Sequence, residues 1–182
     1  MYNYKRKNTI SDRLPIFGRI IFRLCVTLII GSLLAYITRT FLLFPHRFTD
    51  SSMAPNIKKG ELIFLSPFVR ESNLGYEKMV FANLPESISL SFAGRIFGKP
   101  GDKLSIINKK VYRNDQVIIT KFANFSDNRV FDASFSFRDN LSEIKLEKDE
   151  YFIICDNRDQ CMDSREYGPI SLSNIIAIKL GK

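Results

Sequence analysis

The chain has 182 residues, 45% of them hydrophobic and 25% charged, and its formal net charge at pH 7 is +8. This length allows one domain of ordinary size and a small appendage, and the apolar content is sufficient for a packed core. Six of the Lys and Arg residues lie in residues 1–23 against one acidic residue, and no basic-aromatic groove pattern follows, so nucleic acid is not an expected partner.

The basic segment 1–23 precedes the only long apolar run, residues 24–44. At about 1.5 Å per helical residue, this run can span a hydrocarbon core of about 30 Å. We therefore predict a transmembrane anchor at 24–44. A span shifted to about 15–38 is an alternative, in which Arg19 and Arg23 reach the inner headgroups.

Two other interpretations of the apolar run are a cleaved signal peptide and a buried core helix. The run is long for a signal peptide, and the sequence Phe44-Pro45-His46-Arg47 that follows lacks the small residues of a cleavage site. Because positive charge precedes the run, an uncleaved anchor would keep the N-terminus cytoplasmic. We predict a single-pass cell-membrane protein with residues 45–182 as an extracytoplasmic domain.

The pattern after the anchor is that of short strands rich in Val, Ile, Leu and Phe, separated by Asn, Asp, Gly and Pro. Strands are predicted at residues 61–65, 79–84, 88–97, 103–107, 110–112, 117–119, 151–155 and 175–180. Asn108-Lys109 and Asn114-Asp115 are expected to form hairpin turns. Residues 120–148 favour neither strand nor loop. The predicted fold class is mainly β, as a barrel or folded sheet system that closes its own edges.

Three segments of this domain resemble the type I signal peptidases in order and spacing. They are Ser52-Met53-Ala54-Pro55, Arg95-Ile96-Phe97-Gly98-Lys99-Pro100-Gly101-Asp102, and Asp156-Asn157-Arg158-Asp159 followed by Asp163-Ser164-Arg165 and Tyr167-Gly168. The resemblance implies a signal peptidase I-like β-domain behind one transmembrane helix. It also implies cleavage of signal peptides after small residues by a Ser/Lys dyad, without a cofactor or a metal.

The resemblance places Ser52 at the nucleophile position and Gly94, immediately before Arg95, at the position of the general-base lysine. A serine hydroxyl needs an adjacent base, and glycine cannot act as one. Lys78, Lys99 and Lys103 are possible replacements, but they are more typical of solvated surface.

The oxyanion position of the family is here Asp50. A carboxylate that points inward there would repel the developing negative charge. The single histidine, His46, lies at the end of the apolar run and is interpreted as an interfacial residue rather than a substitute base.

Two cysteines stand where the family has a glycine and a lysine-orienting serine, at Cys155 and Cys161. Their positions in the family fold lie near the lysine, so we hypothesise a disulfide that fills the vacated pocket, with two buried free thiols as the alternative. Cys25 should be free in either case. A replacement nucleophilic role for Cys161 is a further alternative, although no base is identifiable for it.

The other matching residues are interpreted as the frame of the cleft. In the family, the counterparts of Arg95 and Asp156 pair, as do those of Asp163 and Arg165. The scaffold is therefore expected to persist where the dyad does not.

Two functions remain in competition. The first is a catalytically impaired, accessory or chaperone-like factor in surface-protein or pilus assembly, which binds extended segments of exported precursors or pilin subunits by strand addition. The second is an active signal peptidase I that uses Ser52.

Overall fold

The computed structural model describes residues 15–39, 44–84 and 87–181, and its internal contacts divide the chain into two units, residues 1–42 and 43–182. In the first unit, helix α1 (Ile16–Ile37) buries none of its side chains. By length and composition it is the one helix of the described residues that could cross a membrane, although a signal sequence near an N-terminus meets the same criteria.

Helix α1 begins before residue 24 and ends before residue 44, so it is shifted toward the N-terminus relative to the predicted span of 24–44. It corresponds to the alternative placement at 15–38. It starts directly after Pro15, whose fixed φ is compatible with the first turn of a helix. Residues 40–43 lie outside the described residues. Phe44 belongs to the second unit, where its strand pairs with another strand of the β-domain.

The second unit consists mainly of two antiparallel sheets. Its strands are β1 (Phe44–Arg47), β2 (Leu62–Ser66), β3 (Met79–Leu84), β4 (Ser87–Gly98), β5 (Lys103–Ile107), β6 (Lys110–Arg113), β7 (Gln116–Val117), β8 (Leu141–Lys145), β9 (Glu150–Ile154), β10 (Ile170–Ser171) and β11 (Ile175–Lys179). A seven-stranded sheet has the order β1-β2-β11-β3-β4-β9-β10, and a four-stranded sheet the order β7-β6-β5-β8.

The mainly β fold predicted from the sequence is confirmed, and its hairpin turns are where turn chemistry places them. Asn108, Lys109, Asn114 and Asp115 all have positive φ, as tight two-residue hairpin turns require. In the described part of the chain neither sheet closes on itself, because β1, β10, β7 and β8 are outer strands. The expectation of a closed-edge system is therefore wrong for these residues.

Three apolar clusters hold the β-domain together. One contains Met53 of the Ser52 segment (residues 50–57) together with Ala93 and Cys155. Another contains Val80 and Ile153. The third joins the two sheets, with members from β4 and β9 of the large sheet and from β5 and β6 of the small one. Apolar residues at alternating strand positions thus support the candidate site from both faces of the large sheet.

The sequence predicted neither strand nor loop for residues 120–148. In the structure this segment is held largely by aspartate–arginine contacts, and β8 is its one strand in the described residues. Arg138 pairs with Asp139 and Asp127, and its guanidinium lies 4.2 Å from the Phe131 ring centroid. Asp159 accepts the N–H of Asp127 at 2.7 Å. Polar contacts of this kind have no periodicity, which explains why no pattern predicted them.

We expect Asp159→Asn to destabilise the domain in a pH-dependent way. Burial acts to raise the pKa of Asp159, but the N–H groups of Asp127 and Ser126 outweigh it and hold the pKa below its ordinary value. A depressed pKa contributes stability above about pH 4 that is lost as pH falls through the folded-state value. Urea unfolding should show Asp159→Asn to be about 1–3 kcal/mol less stable than wild type at pH 7, with a smaller difference at pH 3.

The matched control is Asp115→Asn, which removes an exposed carboxylate in a tight turn. It should have little effect at either pH. An Asp159→Asn difference that does not shrink on acidification would contradict this assignment.

Candidate active site

Ser52 lies in a compact series of turns that is held by its apolar neighbours. Met53 and Ile57 are buried, and the N–H of Ile57 donates to the carbonyl of Met53 at 2.9 Å. Ser52 itself is only 9% exposed, and its hydroxyl oxygen has no hydrogen-bond partner within the described residues. The residue at the nucleophile position is thus positioned firmly but has no base in contact with it.

Asp50 forms a hydrogen bond with the backbone of Ser52. Its Oδ1 accepts the backbone N–H of Ser52 at 2.8 Å. In serine-nucleophile acyl transfer, backbone N–H groups at the nucleophile commonly stabilise the oxyanion. The carboxylate therefore both brings negative charge to this position and occupies the N–H that could offset an oxyanion.

The lysine position, Gly94, is in the interior of β4 and pairs with Val80 of β3. A Cβ built there would lie 2.7 Å from Cγ2 of Ile153 and 3.1 Å from the carbonyl carbon and oxygen of Ile154. Cγ2 of a β-branched residue cannot move far without a change of χ1. The space next to Gly94 is therefore filled first by β9, which corrects the expectation that the disulfide fills it.

The replacement lysines do not converge on Ser52. Lys99 lies 4.2 Å from the Tyr76 ring centroid, and Lys103 pairs with Glu143. Lys78 lines a cavity of about 630 Å³. His46 packs edge-on against Phe81, with ring centroids 4.9 Å apart.

The structure brings Arg95 and Asp156 together in a bidentate ion pair, Nε–Oδ1 2.8 Å and Nη2–Oδ2 3.0 Å. The Phe122 ring covers the Arg95 guanidinium, 3.5 Å from its centroid. Asn56 donates to Asp156 at 3.1 Å and to the Phe122 carbonyl at 2.8 Å. The pair thus connects β4, the Ser52 segment and residues 120–148. Burial raises the pKa of Asp156, while the Arg95 charge opposes that rise.

A second bidentate pair, Asp163 with Arg165, is buried almost completely. Asp163 also accepts the N–H of Cys155, and Ser164 accepts the N–H of Ile153, both at 2.9 Å. These contacts fix the end of β9 against the short helix α2 (Ser164–Tyr167). The strand that packs against Gly94 is therefore held in place from behind.

Cys155 and Cys161 are joined by a disulfide in the structure, with Cα atoms 6.2 Å apart, and Cys25 is free. Sγ of Cys155 lies 3.2 Å from the carbonyl oxygen of Ala93, next to Gly94. Donor atoms of Cys155, Cys161 and Asp163 lie within 4.8 Å of one another. They do not fit a metal site, because the sulfurs are bonded to each other and both Asp163 oxygens already accept hydrogen bonds.

Comparison with known proteins identifies the family. Residues 21–180 match the family model described as "Signal peptidase, peptidase S26". The chain belongs to the signal peptidase S26 family. The match spans both the apolar N-terminal region and the β-domain, so it includes the positions of Ser52, Gly94 and the two ion pairs.

The chain is also similar to named relatives. The chain is 25% identical to signal peptidase I P of Bacillus subtilis subsp. natto over 153 residues, 84% of this chain and 83% of the relative. It is 28% identical to signal peptidase I T of Bacillus subtilis strain 168 over 139 residues, 76% and 72% of the two chains. A solved signal peptidase I from Enterococcus faecalis V583 gives a TM-score of 0.45 at 18% identity, covering 57% of this chain and 94% of that one.

Three contacts of this signal peptidase-family site could not be predicted from the sequence. Ile153 was predicted only as a strand residue, and its contact with Gly94 depends on strand pairing. Phe122 lies in the segment without a predicted structure, and Asn56 has no pattern that distinguishes it from other loop residues. In each case a contact distant in sequence decides the role.

We expect Gly94→Ala to destabilise the β-domain by about 1–3 kcal/mol, because its Cβ overpacks against Ile153 and the Ile154 backbone. The control is Gly75→Ala, where an added Cβ would meet no atom within 4 Å. Urea unfolding midpoints of the two variants measure the difference. Equal midpoints for Gly94→Ala and wild type would show that β9 does not fill this space.

Thiol titration of the unfolded, non-reduced chain should detect one free thiol, that of Cys25. Reduction should raise the count to three and lower stability by roughly 2 kcal/mol, because so short a loop constrains the unfolded chain only modestly. A count of three before reduction would contradict the Cys155–Cys161 bond.

Proposed function

We propose that this chain is a catalytically impaired signal peptidase-family protein. It would act as an accessory or chaperone-like factor in the assembly of surface proteins or pili. The observation that carries the proposal is the state of Ser52. Its hydroxyl has no hydrogen-bond partner among the described residues, and its N–H donates to Asp50. Loss of a general base alone typically costs about 10²–10⁴-fold in rate. The occupied oxyanion donor adds to that loss.

The proposed ligand is an extended segment of an exported precursor or a pilin subunit. β4 pairs with β3 over most of its length but with β9 only from Arg95 onward. Its preceding half thus has an edge without a strand partner in the described residues. Ala93, at the end of that half, packs in the same apolar cluster as Met53. An edge of this kind can accept an extended chain through backbone hydrogen bonds.

The proposed location follows from the N-terminal region. The helix α1 is long and apolar enough to anchor the chain in a membrane, and six basic residues in 1–23 favour a cytoplasmic N-terminus. The β-domain would then be extracytoplasmic, where a disulfide persists.

The second candidate is an active signal peptidase I. It is favoured by the retained serine, by both ion pairs, and by relatives that are named signal peptidase I. In that case Ser52 would need a base that moves into place when substrate binds.

A cleavage assay with the purified full-length chain and a signal-peptide-bearing precursor distinguishes the two candidates. We expect no cleavage above the level of Ser52→Ala. The informative gain-of-function variant is Gly94→Lys with Ile153→Ala, because lysine alone would clash with Ile153. Wild-type cleavage that Ser52→Ala abolishes would overturn the impaired-enzyme proposal.

The binding role has a separate test. A photo-crosslinker at Leu90, which lies on β4 and is 60% exposed, should capture a synthetic extended precursor segment. The control position is Ile107 on β5, which is 52% exposed. Equal capture at both positions would argue against recognition at the β4 edge.

A further inference from the structure

Arg158 is a buried cation that forms no ion pair with a carboxylate of the described residues. It is 3% exposed, its Nε has no hydrogen-bond partner in the described residues, and its guanidinium lies 4.7 Å from the Phe97 ring centroid. The nearby carboxylates of Asp156 and Asp163 are already in bidentate pairs with Arg95 and Arg165. A buried charge without its own counterion is costly unless a ligand supplies one.

The pKa of Arg158 reflects its burial. Burial and the charge of Arg165 lower the pKa of Arg158 to about 10, against the opposing effect of the Asp163 and Asp156 carboxylates. Arg158 remains a cation at neutral pH. Arg95 and Arg165 differ from it, since each of them has an aspartate at hydrogen-bond distance.

Arg158 lines a cavity of about 250 Å³ with two further cations, Lys109 and Lys110, and without an acidic residue. Lys110 is exposed, and Lys109 donates to the backbone carbonyl of Asp127, which leaves its charge unneutralised. The rest of the lining is mostly apolar and includes Val111 and Ile118. A lining that combines cationic and apolar residues complements a ligand with a carboxylate attached to an apolar group.

The size and position of the cavity favour the end of a polypeptide. The volume is below the roughly 300–1,000 Å³ typical of small-molecule pockets, and it suits a single residue. The lining includes Val117 of β7, the outer strand of the four-stranded sheet, and the exposed Ile119 that follows it. A peptide could therefore lie along this outer strand with its last residue in the cavity.

We propose that this cavity binds the C-terminal residue of a polypeptide, with its α-carboxylate against Arg158 and Lys110 and its apolar side chain beside Val111 and Ile118. The site is separate from Ser52. The proposal does not depend on whether the protein cleaves precursors.

The test uses the full-length chain in detergent micelles and a rhodamine-labelled hexapeptide that ends in leucine, as the free acid and as the C-terminal amide. Fluorescence anisotropy should show the acid binding about tenfold or more tightly than the amide, because only the acid forms charge-assisted hydrogen bonds. Equal affinity of acid and amide would overturn the proposal.

Two variants locate the effect. Arg158→Met should abolish the preference for the acid without lowering the thermal unfolding midpoint, because it removes an unpaired buried charge. Lys110→Glu, at an exposed residue, should weaken binding of the acid about tenfold even if Arg158→Met fails to fold. The charge-matched control Lys148→Glu lies outside the cavity lining and should bind as wild type does.

Competition by octanoate identifies the ligand class. We expect octanoate to displace the labelled peptide much more weakly than an unlabelled peptide acid does. Displacement by octanoate as effective as that by the peptide would assign the cavity to free fatty acids and overturn the peptide proposal. Unchanged binding by Lys110→Glu would also overturn it.

Discussion

The bidentate pair between Arg95 and Asp156 is the contact on which the candidate site depends. Arg95 fixes β4 immediately after the lysine position, and Asp156 begins the segment that follows β9. Asn56 links the same carboxylate to the Ser52 segment, and Phe122 covers the guanidinium. Because four distant parts of the chain meet at this one pair, removal of either charge would leave a buried partner unsatisfied and loosen all four.

Around this frame, Gly94 and Asp50 both make structural contacts. Gly94 is packed tightly enough against Ile153 that β4 and β9 approach without a side chain between them. Glycine at this position thus allows the close approach of the two strands. Asp50 similarly stabilises the turn at Ser52 through the N–H that an oxyanion would require. Both contacts support the stability of the scaffold.

Electrostatic pairing also distinguishes two regions of the domain. Around Ser52, Arg95 and Arg165 are each paired with an aspartate, so their charges serve the fold. The charge of Arg158 is buried without an ion pair among the described residues, next to an apolar cavity with two lysines. Proteins tolerate such a cost mainly where a bound group offsets it. The contrast between paired and unpaired arginines therefore separates structural charges from a charge available for recognition.

The sequence by itself determined the family resemblance, the mainly β class, most strand positions and both hairpin turns. Alternating apolar residues and the turn preference of Asn are local properties, so they can be interpreted without long-range contacts. Through motif positions, the sequence also predicted the pairing of Arg95 with Asp156 and of Arg165 with Asp163, which the structure contains. The absence of a base at Gly94 stays a prediction. Only the tertiary structure decided that Ile153 fills the space beside Gly94, that Asp50 binds the Ser52 N–H, and that residues 120–148 are ordered by aspartate–arginine contacts. Those outcomes depend on side-chain direction and on contacts between residues distant in the chain. Such contacts are set by packing and leave no periodic pattern in the sequence.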